Sequence, residues 1–254
     1  MRRLLLAVVI FGAMSGARAA DMPDLPVLRG TQGLTISTVN WQGVYFGGQV
    51  GYGSITSKIS PFINSDLEST FVIPPAGIRY NWLPLASANA TSPGYGAFAG
   101  YNSQWDDVVI GIEANYIHDG FKSTSSATGL TFDGNNALIA TTGTRATVGV
   151  SDFGSLRLRA AYVAGCFLPY MFAGGGLGAE TVDRVAFVSP APVLQVGVSS
   201  ASRTKLVYGY SAGFGFDVML VGGLFARAEY EYRHVTSNIE SNINSLRAGL
   251  GYKF

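Results

Sequence analysis

Eight charged side chains recur at every second position of short, apolar-patterned segments: Glu113, then Arg157 and Arg159, then Arg227, Glu229, Glu231 and Arg233, and finally Arg247. Residues two apart in an extended chain share a face, so each segment delivers its charges to one side. Isolated ionised groups held away from water are costly, and a carboxylate beside a guanidinium is the pairing that offsets that cost. Five Arg against three Glu leave two positive charges in excess. Asp217, water, or Tyr and Asn groups are the available counterparts. Such a cluster is either a structural ion-pair network filling an enclosed space or a narrow, weakly anion-preferring path.

Other residue types also have chemical potential. The two histidines, His118 and His234, are candidate metal or haem-iron ligands. Nothing else completes a ligand cluster around them, so no cofactor or metal is expected. His234-Val-Thr-Ser237-Asn238, with Glu240 nearby, holds the residue types of a Ser-His-acid device. Ser and Asn are common in any loop, and no enzyme is expected. The single cysteine, Cys166, has no nearby His and no partner for an intrachain disulfide. Gly94-Tyr-Gly96 has no following helical pattern, so it is a strand segment rather than a phosphate loop.

The elements that carry these residues alternate with period two. Eight strands are predicted, at about 43–53, 94–104, 107–117, 154–164, 168–178, 205–217, 223–233 and 246–254. In strand one, Val44, Phe46, Val50 and Tyr52 oppose Tyr45, Gly47, Gln49 and Gly51. In the last, Leu246, Ala248, Leu250, Tyr252 and Phe254 oppose Arg247, Gly249, Gly251 and Lys253. Strand five, with three successive glycines, does not reveal which of its faces is the apolar one. The predicted connections at 54–93, 118–153, 179–204 and 234–243 are long, and those at 105–106, 165–167 and 218–222 are short.

Only 13% of residues are charged, about half the ~25% of an ordinary soluble domain. Past the N-terminus no apolar run is long enough for a helical span, so a closed barrel is the remaining membrane solution. Arg2 and Arg3, the apolar run Leu4 to Met14 and Ala17-Arg18-Ala19 read as a signal peptide over residues 1–19. Residues 20–40 read as a periplasmic leader and 41–254 as the barrel. The 17 basic residues less Arg2, Arg3 and Arg18 leave 14 against 16 acidic, which gives no basic excess to attract nucleic acid.

Alternation alone does not say which face meets lipid, because soluble ligand-binding barrels alternate too. The polar faces here are rich in Gly, with a few Arg and Glu, whereas a water-exposed wall would carry many Lys and Glu. Gly beside Arg fits a narrow eight-strand interior, where small residues leave room for long ones. Tyr52, Tyr116 and Tyr232 then form an outer aromatic girdle, and Phe46, Tyr101, Tyr252 and Phe254 an inner one. The expected fold is all-β: a transmembrane, eight-stranded, antiparallel up-and-down barrel. An open porin needs about 16 strands.

Trp41-Gln-Gly-Val-Tyr-Phe-Gly-Gly-Gln-Val-Gly-Tyr-Gly53 resembles the first strand of the small alphaproteobacterial outer-membrane β-barrel proteins, the porin-family or opacity-type group. Gly100–Gln104, Gly111–Asn115, Ser155–Tyr162, Ala228–Arg233 and Leu246–Phe254 are similar to its later strands. The resemblance covers 41–254 and fails in the long connections. It implies localisation in the bacterial outer membrane and contact with outer-membrane lipid and lipopolysaccharide. Periplasmic chaperones and the barrel-assembly machinery are implied partners during biogenesis, as are host or surface ligands at the external loops. Tyr252 and Phe254 resemble the C-terminal signal by which such barrels are recognised. Members are assigned to envelope structure, porin-like behaviour, haem binding or host contact, so the family leaves function open. A His and Ser at a strand end also resemble outer-membrane lipid A deacylases, but the spacing at His234 and Ser237 departs from theirs.

Overall fold

In a computed structural model of the chain, residues 39–59, 81, 83–190, 197–237 and 239–254 are described. The expected signal peptide, most of the leader, Phe71–Pro75 and Asn238 lie outside the described residues. Eight antiparallel strands run β1 (Gly43–Ser57), β2 (Ala88–Trp105), β3 (Val108–Phe132), β4 (Leu138–Tyr162), β5 (Phe167–Pro190), β6 (Gly197–Val221), β7 (Leu224–Thr236) and β8 (Ser241–Lys253). Each pairs with its sequence neighbour, and β1 closes the ring on β8. Closure leaves no sheet edge within the ring, which is the condition for backbone in lipid. The short connections lie at one end. Gly222 and Gly223 both take positive φ between β6 and β7, the requirement of a two-residue type I′ hairpin.

The strands run further than the alternation predicts. The stretch 118–153, expected as a loop, is strand except for a tight turn between Phe132 and Leu138. The connections 54–93, 179–204 and 234–243 are likewise shortened from both sides by continued pairing. The cause is an inversion of pattern. In the first half of β3, Val108, Ile110, Ile112 and Tyr116 point outward and Glu113 and Asn115 inward. Beyond Asp119 the inward positions mix apolar residues, Phe121 on β3 and Ala146, Val148 and Val150 on β4, with small hydroxyls such as Ser123 and Thr144, while Lys122, Thr124 and Arg145 face out. The first pattern suits lipid outside; the second suits water outside. Read for one polarity only, the second half passes for loop.

Strand five is settled by the same test. Leu168, Tyr170 and Phe172 are buried, whereas Met171 and Leu177 are exposed, so the odd-numbered side is the outward one. Inward glycines opposite these rings are a matter of space. A Cβ on Gly213 would lie 2.6 Å from Phe172 Cζ, and one on Gly215 2.8 Å from Tyr170 Oη. Gly213→Leu is therefore expected to cost about 1–3 kcal/mol through overpacking, read as a lower temperature for the heat-dependent gel shift of the folded barrel.

Candidate functional site: the polar lumen

Inward side chains stack in layers that follow the strands. Nearest the short turns lies an aromatic layer of Trp41, Tyr45, Phe98, Tyr170, Phe172 and Phe225, packed with Val109 and Leu168. Trp41 is held by its backbone N–H donating to Gln104 Oε1 at 2.7 Å. Next come the charges, carried by β3, β4, β6, β7 and β8. Beyond them Ile55, Phe121, Val150, Val207, Val235 and Ile243 form a second apolar layer. A third, with Ile59, Leu85, Ala146, Val148 and Ile239, fills the barrel's extension. The ionic layer is thus enclosed between apolar ones.

All eight predicted charges point inward and are buried. Register explains several contacts. Glu113 stands directly across from Arg157, Asp217 from Arg227, and Glu229 from Arg247. Glu113 Oε2 accepts from Arg227 Nη1 at 2.7 Å, from Tyr45 Oη at 2.9 Å and from Arg159 Nη1 at 3.4 Å. Asp217 takes Arg227 in a fork, Nε at 2.8 Å and Nη2 at 3.1 Å, and Arg159 Nη2 at 2.8 Å. Glu229 accepts from Arg157 Nη1 at 2.9 Å and Tyr170 Oη at 3.0 Å. Glu231 accepts from Arg157, Arg233 and Arg247. Arg233 Nη1 also donates to Asp119 Oδ2 at 3.0 Å.

Two carboxylates complete the set. Asp217 was foreseen only as one of several counterparts, and Asp119 was missed. Asp119 lies on the continuation of β3 that the sequence pattern assigned to a loop; extending the alternation past Tyr116 would have found it. With both included, five arginines face five carboxylates, Glu113, Asp119, Asp217, Glu229 and Glu231. The network carries no net charge, and the two-charge excess expected from the strands disappears. Guanidinium planes also lie over rings: Arg227 over Phe98 at 3.9 Å, Arg159 over Tyr170 at 4.0 Å and Arg157 over Phe172 at 4.4 Å. Weakly hydrated, planar Arg suits such stacking where Lys would not.

The remaining candidates do not converge. His118 on β3 and His234 on β7 face outward, four strands apart in a ring of eight, so they cannot share one ion or haem. Among the described residues no group of three His, Cys, Asp or Glu could hold a metal. Ser237 is turned to Glu180, with Oγ 2.7 Å from Oε2. His234 turns to Asn242. The Ser-His-acid device suggested by residue types is therefore not assembled. Cys166 is exposed, between β4 and β5. Tyr252 and Phe254 lie at the short-turn end, with the Phe254 ring 5.6 Å from Phe46 and 5.0 Å from Tyr252.

Comparison with known proteins agrees with this architecture. The family model described as outer membrane protein beta-barrel domain matches residues 4–254, and the chain belongs to that family. It is 27% identical over 159 residues to the 25 kDa outer-membrane immunogenic protein of Brucella ovis, covering 63% of this chain and 62% of that one. The Brucella abortus protein of the same name is 25% identical over 169 residues, 63% of this chain and 64% of that one. The chain thus spans less than two thirds of the length of these curated relatives. Among solved structures, Ail, the attachment invasion locus protein of Yersinia pestis, is similar at 15% identity, covering 84% of this chain and 99% of that one, with a TM-score of 0.31. The protein is an outer-membrane β-barrel.

Proposed function

We propose that this barrel serves the cell envelope as a structural and surface-display protein, with its lumen plugged rather than conducting, and that it is not an enzyme. The observation that carries this reading is the neutral Arg/carboxylate layer, buried on every side and bounded by apolar layers. An ion path needs polar, hydrated lining along its whole length and binding weak enough to release. Here each guanidinium is committed to carboxylates or rings, and an ion would have to break those pairs and cross two apolar layers. The relatives named immunogenic outer-membrane proteins are consistent with exposure at the cell surface. The extension of β3 to β6 is the part built to meet the outside, since loops and projections beyond the rigid barrel are where contacts are made. Outward-facing Tyr252 and Phe254 are the groups we assign to the assembly machinery.

Bilayer conductance of the purified, refolded protein tests the plug directly. Quiet membranes are expected. Discrete steps that vanish in Arg157→Ala or Arg159→Ala would replace the plug with a narrow channel. Unchanged lipid A by mass spectrometry on overexpression is the matching expectation for the absence of lipid-modifying activity.

A further inference from the structure

The two histidines sit in the same four-residue arrangement on opposite sides of the barrel. His118 Nδ1 lies 2.8 Å from Asp152 Oδ1, which also accepts from Tyr116 Oη at 2.6 Å, and the Tyr95 ring stands 5.3 Å from the imidazole. His234 Nδ1 lies 2.7 Å from Asn242 Oδ1, which also accepts from Tyr232 Oη at 2.9 Å, and the Tyr210 ring stands 5.1 Å away. In each case one Tyr precedes the His by two residues on its own strand. The other Tyr is the His's cross-strand partner on the strand before, and the Asx is its partner on the strand after.

What the two modules keep in common points to a ligand. A carboxylate stands in one and a carboxamide in the other, so the shared element is an Oδ1 acceptor rather than a charge. That oxygen can only accept, which puts a proton on Nδ1, so that in the neutral imidazole Nε2 is the acceptor. Among the described residues neither Nε2 has a hydrogen-bond partner in the protein. A girdle tyrosine needs only its amphipathic ring to sit at a membrane surface; orienting an imidazole is additional. Both modules stand equally far along their strands from the short-turn end, His118 from Val108 and His234 from Leu224. His118 follows outward Ile110, Ile112 and Tyr116 and precedes Lys122; His234 follows Ala226, Ala228, Tyr230 and Tyr232. Each therefore lies where the apolar band ends at the external rim. An acceptor nitrogen beside an exposed aromatic ring fits a sugar, whose hydroxyl and amide groups donate and whose C–H face packs on the ring.

We propose that His118 and His234 are the centres of two outer-leaflet glycolipid sites, each holding the sugar headgroup of one lipid at the external rim. Two separate imidazoles on opposite walls rule out a shared metal ion and fit two annular lipids. The chain has only these two histidines, so the imidazole Cε1–H region of an NMR spectrum holds two protein signals. The untagged, refolded protein is placed in phosphatidylcholine nanodiscs alone, with hexa-acylated lipid A, with dephosphorylated lipid A, or with phosphatidylglycerol. Both signals are expected to shift with either lipid A and neither with phosphatidylglycerol. His118→Ala and His234→Ala assign the signals, and each should weaken lipid A binding at its site about five-fold. Heat-dependent gel migration of the variants should stay as in the parent, because neither side chain enters the lumen. Signals that stay fixed with lipid A overturn the proposal. So do shifts of equal size with phosphatidylglycerol, or a shift with lipid A lost on dephosphorylation, which would mark simple attraction to phosphate. The plug reading is untouched by any of these outcomes.

Discussion

Arg157→Met is expected to destabilise the inserted barrel by about 3–5 kcal/mol, the range for removing one partner of a buried ion pair. Arg157 bridges Glu229 and Glu231 and also faces Glu113 at 3.7 Å. Methionine restores much of the volume and some contact with Phe172, so the loss is chiefly electrostatic. The carboxylates left behind are enclosed between apolar layers, with little access to water. Urea-induced unfolding in lipid vesicles measures the change. Arg157→Met combined with Glu231→Met should cost clearly less than the two single changes added together, because the double variant abandons fewer unpaired charges. Simple additivity, or a loss under 1 kcal/mol for the single variant, would mean that the lumen is wet enough to solvate those groups, and the plug would lose its main support.

Leu250→Arg places a charge on the opposite side of the wall. Leu250 points outward, 57% exposed to what is lipid in the membrane, and cross-pairs with Gly48 on β1 and Ala226 on β7. The expected cost is about 2–4 kcal/mol near the bilayer midplane, less toward either interface. The neighbouring Gly249→Arg fails by another route. Gly249 faces inward, and a Cβ there would meet the Gly48 carbonyl at 2.7 Å and Phe98 Cε1 at 3.3 Å. The two variants separate on changing the solvent. Moving from a thick to a thin bilayer should relieve Leu250→Arg by letting the guanidinium reach the headgroups, whereas crowding at Gly249 should be indifferent to thickness. Equal responses would contradict the inside-out arrangement of the wall.

The sequence by itself determined the strands within the membrane, the lipid faces of all of them but β5, and the inward direction of the eight charges. These follow from alternation, which is a property of neighbouring residues and is written locally. At β5 the local signal fails, because Gly174, Gly175 and Gly176 separate two faces that are both apolar. Only the tertiary structure decided the rest. The length of β3 and β4 depends on pairing that persists after the polarity of the pattern reverses at the rim. The neutrality of the lumen depends on Asp119 reaching Arg233 from the far side of the ring, and on Asp217 falling opposite Arg227. The matched surroundings of His118 and His234 are built from three strands each. Register joins residues distant in the chain, and no period along one strand encodes it.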